Sequence, residues 1–382
     1  MTKPNSCTIG IMSGTSLDAV DVVALGAGTP LAAIAHADCV MPADLKARLS
    51  QLSKPLAMTD PGHQQDQIDL IELLGDARRD LTDLYARTVN RLPGDVLAAA
   101  DSIGAHGQTI RHRPERGFSI QILDGARLAE LTGLTVVTDF RAADLAAGGQ
   151  GAPLAPFFHQ AMLSARPAFR SIVNIGGIAN VTVLSEQNKH IITGFDTGPG
   201  NRLLDDWCHQ HLGQPFDRDG KWASTGTVNP GLLDALLKTD YLQRPAPKST
   251  GREDFSIEWL QGVLEQHTAG NPPINASDVQ ATLLELTVLS ISRAITPYDT
   301  GPLLVCGGGA FNKALMNRLN QVHPGGCQPS NVAGIGPQLV EGAAFAWLAR
   351  QRLADQLASD PTTTGARGAR CLGAVYPAPP GS

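Results

Sequence analysis

The sequence predicts an α/β fold of two lobes with a cleft between them. A short apolar run, residues 7–11, is followed by a small-residue turn and a second apolar run, residues 20–25. The same pattern returns at residues 171–175 and 178–184, which Gly176-Gly177 separates. Two strand–turn–strand units of one design indicate a duplicated architecture. Strand and helix patterns alternate along the rest of the chain, which is typical of the α/β class.

Composition places the chain among globular proteins and excludes several function classes. It has 382 residues, 42% hydrophobic and 17% charged, which allows more than one domain. A net charge of -6 gives no basic surface for nucleic acid. No apolar run approaches the ~20 residues of a membrane span, and residues 1–6 do not have the pattern of a signal peptide. Six scattered cysteines without a C-x-x-C pair predict a reduced cytoplasmic protein without disulfides or structural zinc.

The first lobe is predicted to span residues 1–145 and to be completed by the C-terminal segment, about residues 340–382. The second lobe takes residues 146–339, because the glycine-rich stretch 148–153 is typical of a flexible boundary. Apolar periodicity predicts the elements of each lobe. In the first lobe these are helices at 43–52 and 66–92, strands at 101–105, 119–123 and 135–138, and a helix capped by Asp124 that ends near Thr132. In the second lobe, after the 171–184 hairpin, they are strands at 190–195 and 302–306 and helices at 202–212, 230–237, 278–295, from Asn312, and at 338–357, the last returning to the first lobe.

Three glycine-containing turns, at residues 14–16, 196–200 and 307–309, each follow a predicted strand. Glycine lets the backbone approach a ligand closely, and such turns can cradle phosphate oxygens. Asp18 and Asp21 follow the first turn, where a carboxylate can hold a hydrated divalent cation. The chain contains neither G-x-x-x-x-G-K-[ST] nor G-x-G-x-x-G, so a P-loop or Rossmann site is not supported. Three ordinary turns remain the alternative.

Asp196 is the predicted general base. It ends an apolar strand beside a glycine-rich turn, a position from which a carboxylate can project into a cleft. A turn-forming or N-capping role is the alternative. Asp-Thr-Gly occurs at both Asp196 and Asp299, as in the paired triplets of aspartic proteases. The second triplet precedes its strand whereas the first follows one, and the helical content does not suit that mostly-β class.

A polar cluster follows the strand at 101–105. Its members are His106, Gln108, Arg111, His112 and Arg113. Metal binding by the two histidines lacks a third ligand nearby, so contacts to a sugar or an anion are favoured. Arg141, at the end of a strand beside Asp139, is a stronger candidate for binding a substrate carboxylate.

Eight motifs in order resemble the anhydro-N-acetylmuramic acid kinase family, nearly end to end. They are MSGTSLD at 12–18, HGQT at 106–109, TDFR at 138–141, GQGAP at 149–153, NIGGIAN at 174–180, FDTGPGN at 195–201, CGGG at 306–309 and EGAAFAW at 341–347. The resemblance implies an actin-like two-lobed fold, ATP with Mg²⁺, and a homodimer. It also implies hydrolytic opening of the 1,6-anhydro ring of an amino sugar and phosphorylation of its O6.

The resemblance also implies roles for individual residues. Asp196 is the base, and Asp18 is the metal ligand. The sugar-binding residues are His106, Gln108, Arg141 and Glu341. The nucleotide-binding residues are Gly14, Thr15, Ser16, Leu17, Asp18, Ala19, Val20, Asp21, Gly176, Gly198, Gly200, Gly307, Gly308, Gly309 and Asn312. One departure is Ala19, where the family usually has glycine; alanine would strain the backbone there only if the position needs a positive φ.

Two functional alternatives stay open beside the amino-sugar kinase. One is a kinase or ATPase of the same fold acting on another small molecule. The other is a non-enzymatic ATP-gated binder. Because such a binder would hydrolyse ATP without needing a sugar, sugar-dependent ADP release separates it from the kinase.

Overall fold

A computed structural model describes residues 6–14, 17–54, 69–187, 190–246, 248–250, 254–269 and 272–381. The chain packs as two compact units, which we call unit 1 and unit 2. Unit 1 comprises residues 1–158 and 341–382, and unit 2 comprises residues 159–340. The lobe boundary predicted at residues 145 and 146 lies before this division.

The strands are β1 (Cys7–Ser13), β2 (Ala19–Gly26), β3 (Ala33–Val40), β4 (Ala100–Ala105), β5 (Gln108–Arg113), β6 (Phe118–Ile122), β7 (Thr135–Thr138), β8 (Ser171–Ile175), β9 (Ile178–Leu184), β10 (Ile191–Pro199), β11 (Leu303–Cys306), β12 (Cys327–Pro329) and β13 (Ala374–Tyr376). The helices are α1 (Ala43–Ser53), α2 (Leu70–Val89), α3 (Gly94–Ala99), α4 (Gly125–Thr132), α5 (Ala142–Ala146), α6 (Ala155–Ser164), α7 (Arg202–Leu212), α8 (Pro230–Leu237), α9 (Asp240–Gln243), α10 (Ile257–Thr268), α11 (Ala276–Ile295), α12 (Lys313–Val322), α13 (Val340–Leu353) and α14 (Pro361–Thr364).

Unit 1 is built on a sheet of order β13-β7-β4-β1-β2-β3. Strands β1, β2 and β3 are antiparallel neighbours, whereas β4 and β7 run parallel to β1. Helix α13 packs directly on this sheet, and a Cβ added at Gly10 in β1 would clash with the backbone oxygen of Gly342. Side-chain-free backbone is therefore required where this helix crosses the strand.

Unit 2 repeats the arrangement with the order β10-β9-β8-β11-β12. Strands β8, β9 and β10 are antiparallel neighbours, and β11 and β12 run parallel to β8. The long helix α11 is buried along most of its length in the core of this unit. The order β3-β2-β1-β4-β7 in unit 1 and the order β10-β9-β8-β11-β12 in unit 2 thus share one topology, which confirms the duplicated α/β architecture.

The main differences from the sequence prediction lie in elements with weak local signals. Strand β3 alternates between exposed and half-buried residues and was not predicted. Strand β5 was predicted as a polar cluster, and α10 was not predicted at all. Strand β10 was predicted to end before Asp196 but continues to Pro199, because this segment pairs with β9 despite its glycines. These elements depend on pairing and burial that local sequence does not display.

Candidate active site

Both sheets bring their loops to the edge at which the parallel strands end, which we call the carboxyl edge. In unit 1, strands β1, β4 and β7 lead to Ser13, His106 and Asp139 there. In unit 2, strands β8 and β11 lead to Gly176 and Gly307. In open α/β sheets ligands bind beyond the carboxyl ends of the strands. Most of the predicted site residues therefore lie where the topology favours ligand binding.

Gln108 is held inside unit 1 rather than projecting into solvent. The Ser13 hydroxyl donates to Gln108 Oε1 at 2.8 Å and lies 2.6 Å from the Tyr85 hydroxyl. Gln108 and Tyr85 are both buried. This arrangement ties the end of β1 to the start of β5. Ser13 and Tyr85 were not predicted as site residues, although Ser13 stands inside the first motif.

The buried His106 and the half-buried Arg141 form a hydrogen-bonded pair. Arg141 donates from Nε and Nη2 to His106 Nε2, at 3.2 and 2.9 Å. Since a guanidinium only donates, Nε2 is the acceptor and a neutral His106 carries its proton on Nδ1. Burial, and next the Arg141 cation, hold the pKa of His106 well below its usual 6.5. His106 is therefore neutral at pH 7, and its buried Nδ1 has no hydrogen-bond partner among the described residues.

Arg141 remains a cation in spite of its burial. Burial lowers its pKa to about 10, and the Glu341 carboxylate acts in the opposite direction. Its Nη1 donates to the backbone oxygen of Gly151 at 2.7 Å. The structure thus groups three of the predicted sugar-binding residues, His106, Arg141 and Glu341, in unit 1. A neutral donor beside a desolvated guanidinium is suited to a carboxylate-bearing sugar.

The β1–β2 hairpin tip is the predicted phosphate loop, although Thr15 and Ser16 lie outside the described residues. Gly14 accepts a hydrogen bond from the backbone N–H of Leu17, which has a φ of 57°. Ala19 begins β2 and pairs with Val40 in extended backbone. The position that needs a positive φ is Leu17, so alanine at position 19 causes no strain.

The two candidate metal ligands in the hairpin differ in their surroundings. Asp18 is exposed and accepts from Lys46 Nζ at 2.7 Å. Asp21 lies opposite Asp38 on β3, and burial followed by Asp38 raises the pKa of its carboxyl. Among the described residues no three His, Cys, Asp or Glu side chains cluster as a metal site would require. Asp18 is an exposed carboxylate, the ligand type that suits an ion that keeps most of its waters.

In unit 2 the glycine turns converge at the carboxyl edge. The backbone N–H groups of Gly200 and Asn201 donate to the carbonyls of Gly177 and Gly176, both within 2.9 Å. Gly307 has a φ of 78°, and a Cβ there would clash with Asn174 Oδ1. Backbone, not side chains, therefore forms this surface, as close approach of a nucleotide requires.

Other predicted nucleotide residues have more structural roles. The Asn312 side chain caps α12, accepting from the N–H of Leu315 at 3.1 Å. Gly198 has a φ of 145° and lies against Leu242 at an irregularity of β10. Asn201 was missed by the prediction, yet its Nδ2 donates to the carbonyl of Ile175 at 3.0 Å and links two of the turns. Its place inside the FDTGPGN motif was the available signal.

Asp196 lies within β10, opposite Asn180, and not at the strand end. Its Oδ2 accepts from the backbone N–H of Thr250 at 3.0 Å, and its own N–H donates to the Lys248 carbonyl. Burial raises the pKa of the Asp196 carboxyl, and the Thr250 N–H partly opposes that rise. A raised pKa makes the carboxylate a better proton acceptor. Thr250 carried no recognisable signal in the sequence.

The structure argues against the aspartic-protease interpretation. Asp299 accepts from Arg170 and from the Ser171 hydroxyl, at 2.7 and 2.6 Å, and is buried. Both Asp-Thr-Gly triplets lie in unit 2, whereas an aspartic protease needs one in each lobe. His112, in the polar cluster, has its Nδ1 paired with the Ser119 hydroxyl at 2.9 Å.

Two units of one topology, one with polar side chains and one with glycine turns at the carboxyl edge, define the chain as an actin-like α/β protein of the ATPase and sugar-kinase class. The family model for anhydro-N-acetylmuramic acid kinase matches residues 6–378. The chain belongs to the anhydro-N-acetylmuramic acid kinase family. The predicted enzyme class, a phosphotransferase acting on an amino sugar, is thereby confirmed, and ATP follows as the phosphoryl donor of a kinase.

Relatives of the same name match over nearly the whole chain. The anhydro-N-acetylmuramic acid kinase of Pseudomonas paraeruginosa is 47% identical over 97% of this chain and 98% of its own. That of Nitrosomonas europaea is 44% identical over 97% and 99%. Among solved structures, the activator of 2-hydroxyisocaproyl-CoA dehydratase from Clostridium difficile with bound ADPNP is 14% identical, with a TM-score of 0.42 over 91% of this chain and 97% of that one. Within the part of the chain that the structure describes, no helix is long and apolar enough to cross a membrane.

Proposed function

We propose that this kinase opens the anhydro ring of 1,6-anhydro-N-acetylmuramic acid with water and phosphorylates O6, in cell-wall recycling. Water attacks the anomeric carbon, the bond from that carbon to O6 breaks, and O6 takes the γ-phosphoryl group of ATP. The products are N-acetylmuramic acid 6-phosphate and ADP. Because O6 is captured by phosphorus, its departure needs no proton donor.

The observation that carries this proposal is the Asp196 carboxylate, partly buried and oriented by the Thr250 N–H. Asp196 takes the proton of the attacking water as the new bond to carbon forms. A carboxylate with a raised pKa suits this transfer better than an exposed one. The remaining acceleration comes from positioning and charge stabilisation, as in other phosphoryl transfers.

The sugar is assigned to the residues of unit 1. Arg141 binds the lactyl carboxylate, because its guanidinium is desolvated and its fork matches a carboxylate. His106 donates from Nδ1, the nitrogen left without a described partner. Gln108 and Glu341 complete the set; Gln108 is fixed by Ser13.

The nucleotide is assigned to glycine backbone. In unit 2 the proposed surface is Gly176, Gly200 and residues 307–309. In unit 1 the predicted phosphate loop is residues 14–21, of which 15 and 16 lie outside the described residues. Asp18 would hold Mg²⁺, which neutralises phosphate charge. The exposed position of Asp18 leaves room for the waters of the ion. Replacing Asp18 by Asn should raise the Mg²⁺ concentration needed for half-maximal rate, without changing the apparent affinity for the sugar.

The deciding experiment measures ADP release from Mg-ATP with and without the anhydro sugar, in ¹⁸O-labelled water. We expect sugar-dependent ADP release and a product heavier by one water and one phosphoryl group, with the label on the anomeric oxygen only. ADP without a changed sugar would instead favour an ATPase or an ATP-gated binder. Turnover of a different small molecule would favour the related kinase.

Cytoplasmic location and a homodimer complete the proposal. None of the six cysteines, all of which the structure describes, forms a disulfide, as a reducing compartment allows, and ATP is a cytoplasmic substrate. The homodimer rests on the resemblance to the family. Sedimentation of the purified chain tests it, and a monomer at micromolar concentration would contradict it.

A further inference from the structure

Asp144 is a carboxylate with no exposed surface that the reaction above does not use. Its Oδ2 accepts from the backbone N–H of Gly151 at 2.8 Å, and its Oδ1 accepts from the Thr364 hydroxyl at 2.7 Å. No described cation forms an ion pair with it. Two neutral donors therefore satisfy a buried acid, an arrangement that is costly unless both hydrogen bonds are kept.

These bonds lead to Arg141 through one residue, Gly151. Gly151 donates its N–H to Asp144 and accepts at its carbonyl from Arg141 Nη1, at 2.7 Å. Arg141 in turn donates to His106. A continuous series of hydrogen bonds thus connects Thr364, near the C-terminus, with the two residues assigned to the sugar.

Backbone hydrogen bonds join the C-terminal segment to the glycine-rich stretch at more than one point. The carbonyl of Thr364 accepts from the N–H of Gln150 at 2.8 Å. The N–H of Arg367 donates to the carbonyl of Ala147 at 3.0 Å. Residues 147–151 are therefore held by residues 364–367, and their position is not set by their own sequence.

We propose that Asp144 and Thr364 are positioning residues that fix the Gly151 carbonyl and thereby the direction in which Arg141 presents its guanidinium to the substrate carboxylate. This inference rests on the proposed function of Arg141. Without the anchor, Gly151 loses the acceptor of its N–H, and the Arg141 fork loses a fixed hydrogen-bond partner. The expected consequence is weaker recognition of the carboxylate, not a lower rate of phosphoryl transfer.

The test compares Thr364→Val with Thr363→Val. Both replace a threonine hydroxyl by a methyl group in α14, but the Thr363 hydroxyl is buried without a described hydrogen-bond partner. Thr364→Ser retains the hydroxyl and should rescue. Each variant is assayed with the anhydro sugar and with its analogue that carries a hydroxyl in place of the lactyl ether. The analogue has no carboxylate for Arg141 to bind.

For Thr364→Val we expect KM for the full sugar to rise roughly tenfold, as for the loss of a hydrogen bond to a charged group, with KM for ATP unchanged. With the analogue, Thr364→Val and the wild type should have the same KM. Thr363→Val should match the wild type on both sugars. If the role of Thr364 is purely structural, KM should rise equally for both sugars and for ATP, and that result would overturn the proposal.

Asp144→Asn carries the same test if Thr364→Val does not fold, since the amide retains one acceptor oxygen. An equal KM increase on both sugars would again contradict the positioning role. The two proposals fail differently. If the wild type shows no sugar-dependent ADP release, the proposed function fails; if the wild type is active and Thr364→Val is indistinguishable from it, only the positioning role fails.

Discussion

Unit 1 and unit 2 share a sheet topology but present different chemistry at their carboxyl edges. In unit 1 the edge carries hydrogen-bonded side chains, the buried His106 and Gln108 and the half-buried Arg141. In unit 2 the edge is mainly backbone, with Gly200 and Gly307 at the turns. In the function proposed above, the side chains of unit 1 bind the sugar and the bare backbone of unit 2 binds the phosphates and nucleoside of ATP.

Asp196 is the side chain of unit 2 to which we assign a chemical role, and its replacement should have the largest effect. We expect Asp196→Asn to lower kcat by about 10³-fold, within the range for loss of a general base. Binding of an ATP analogue, measured by calorimetry, should be unchanged. Asp254→Asn is the matched control, because that carboxylate accepts from the Thr250 hydroxyl and lies outside β10. Near-normal turnover in Asp196→Asn would remove the base from the mechanism.

If unit 1 side chains bind only the sugar, Arg141→Lys should change KM for the sugar and not KM for ATP. Lysine keeps the charge but loses the fork that contacts His106 and Gly151. KM for the sugar should rise about 10- to 100-fold, with KM for ATP unchanged. Arg127→Ala, which removes a partly exposed ion pair with Asp83, is the control and should change neither. An equal rise in KM for the sugar and for ATP would show that the two carboxyl edges do not bind different substrates.

The converse change is Gly307→Ala in unit 2. Alanine is strained at a φ of 78° and its Cβ would meet Asn174 Oδ1, so the turn must move. We expect KM for ATP to rise roughly tenfold with little effect on KM for the sugar. Gly213→Ala controls for backbone strain alone, since Gly213 has a φ of 66° and open space around it. If both variants raise KM for ATP equally, close approach of the nucleotide to Gly307 does not determine ATP binding.

The smallest expected effect is a shift of the acid limb of the pH profile. Asp196 must be ionised to accept a proton, so activity falls as pH falls through its pKa. Because burial raises that pKa above 3.8, the limb of kcat should lie at higher pH than for an exposed aspartate. The residual activity of Asp196→Asn should lack the limb. A midpoint at or below the ordinary aspartate value would place the base elsewhere.

Local sequence was sufficient to predict the elements and residues that have a strong local pattern. The β1–β2 and β8–β9 hairpins, the Asp124 cap of α4 and the length of α11 all follow from apolar spacing and turn residues. It was not sufficient for β3, whose side chains alternate weakly, nor for the continuation of β10 through glycine and proline. Pairing with a neighbouring strand stabilises both segments, and the neighbouring strand cannot be identified from the local sequence.

The sequence by itself determined the class of the protein, because eight motifs and their order are local properties that can be read along the chain. It also named most of the residues that the carboxyl edges present. Only the tertiary structure decided how those residues are held: His106 neutral beside Arg141, Asp196 against Thr250, and Asp144 bonded to Thr364 220 positions away. Such contacts depend on burial and on which strands become neighbours, and neither is encoded within a single motif.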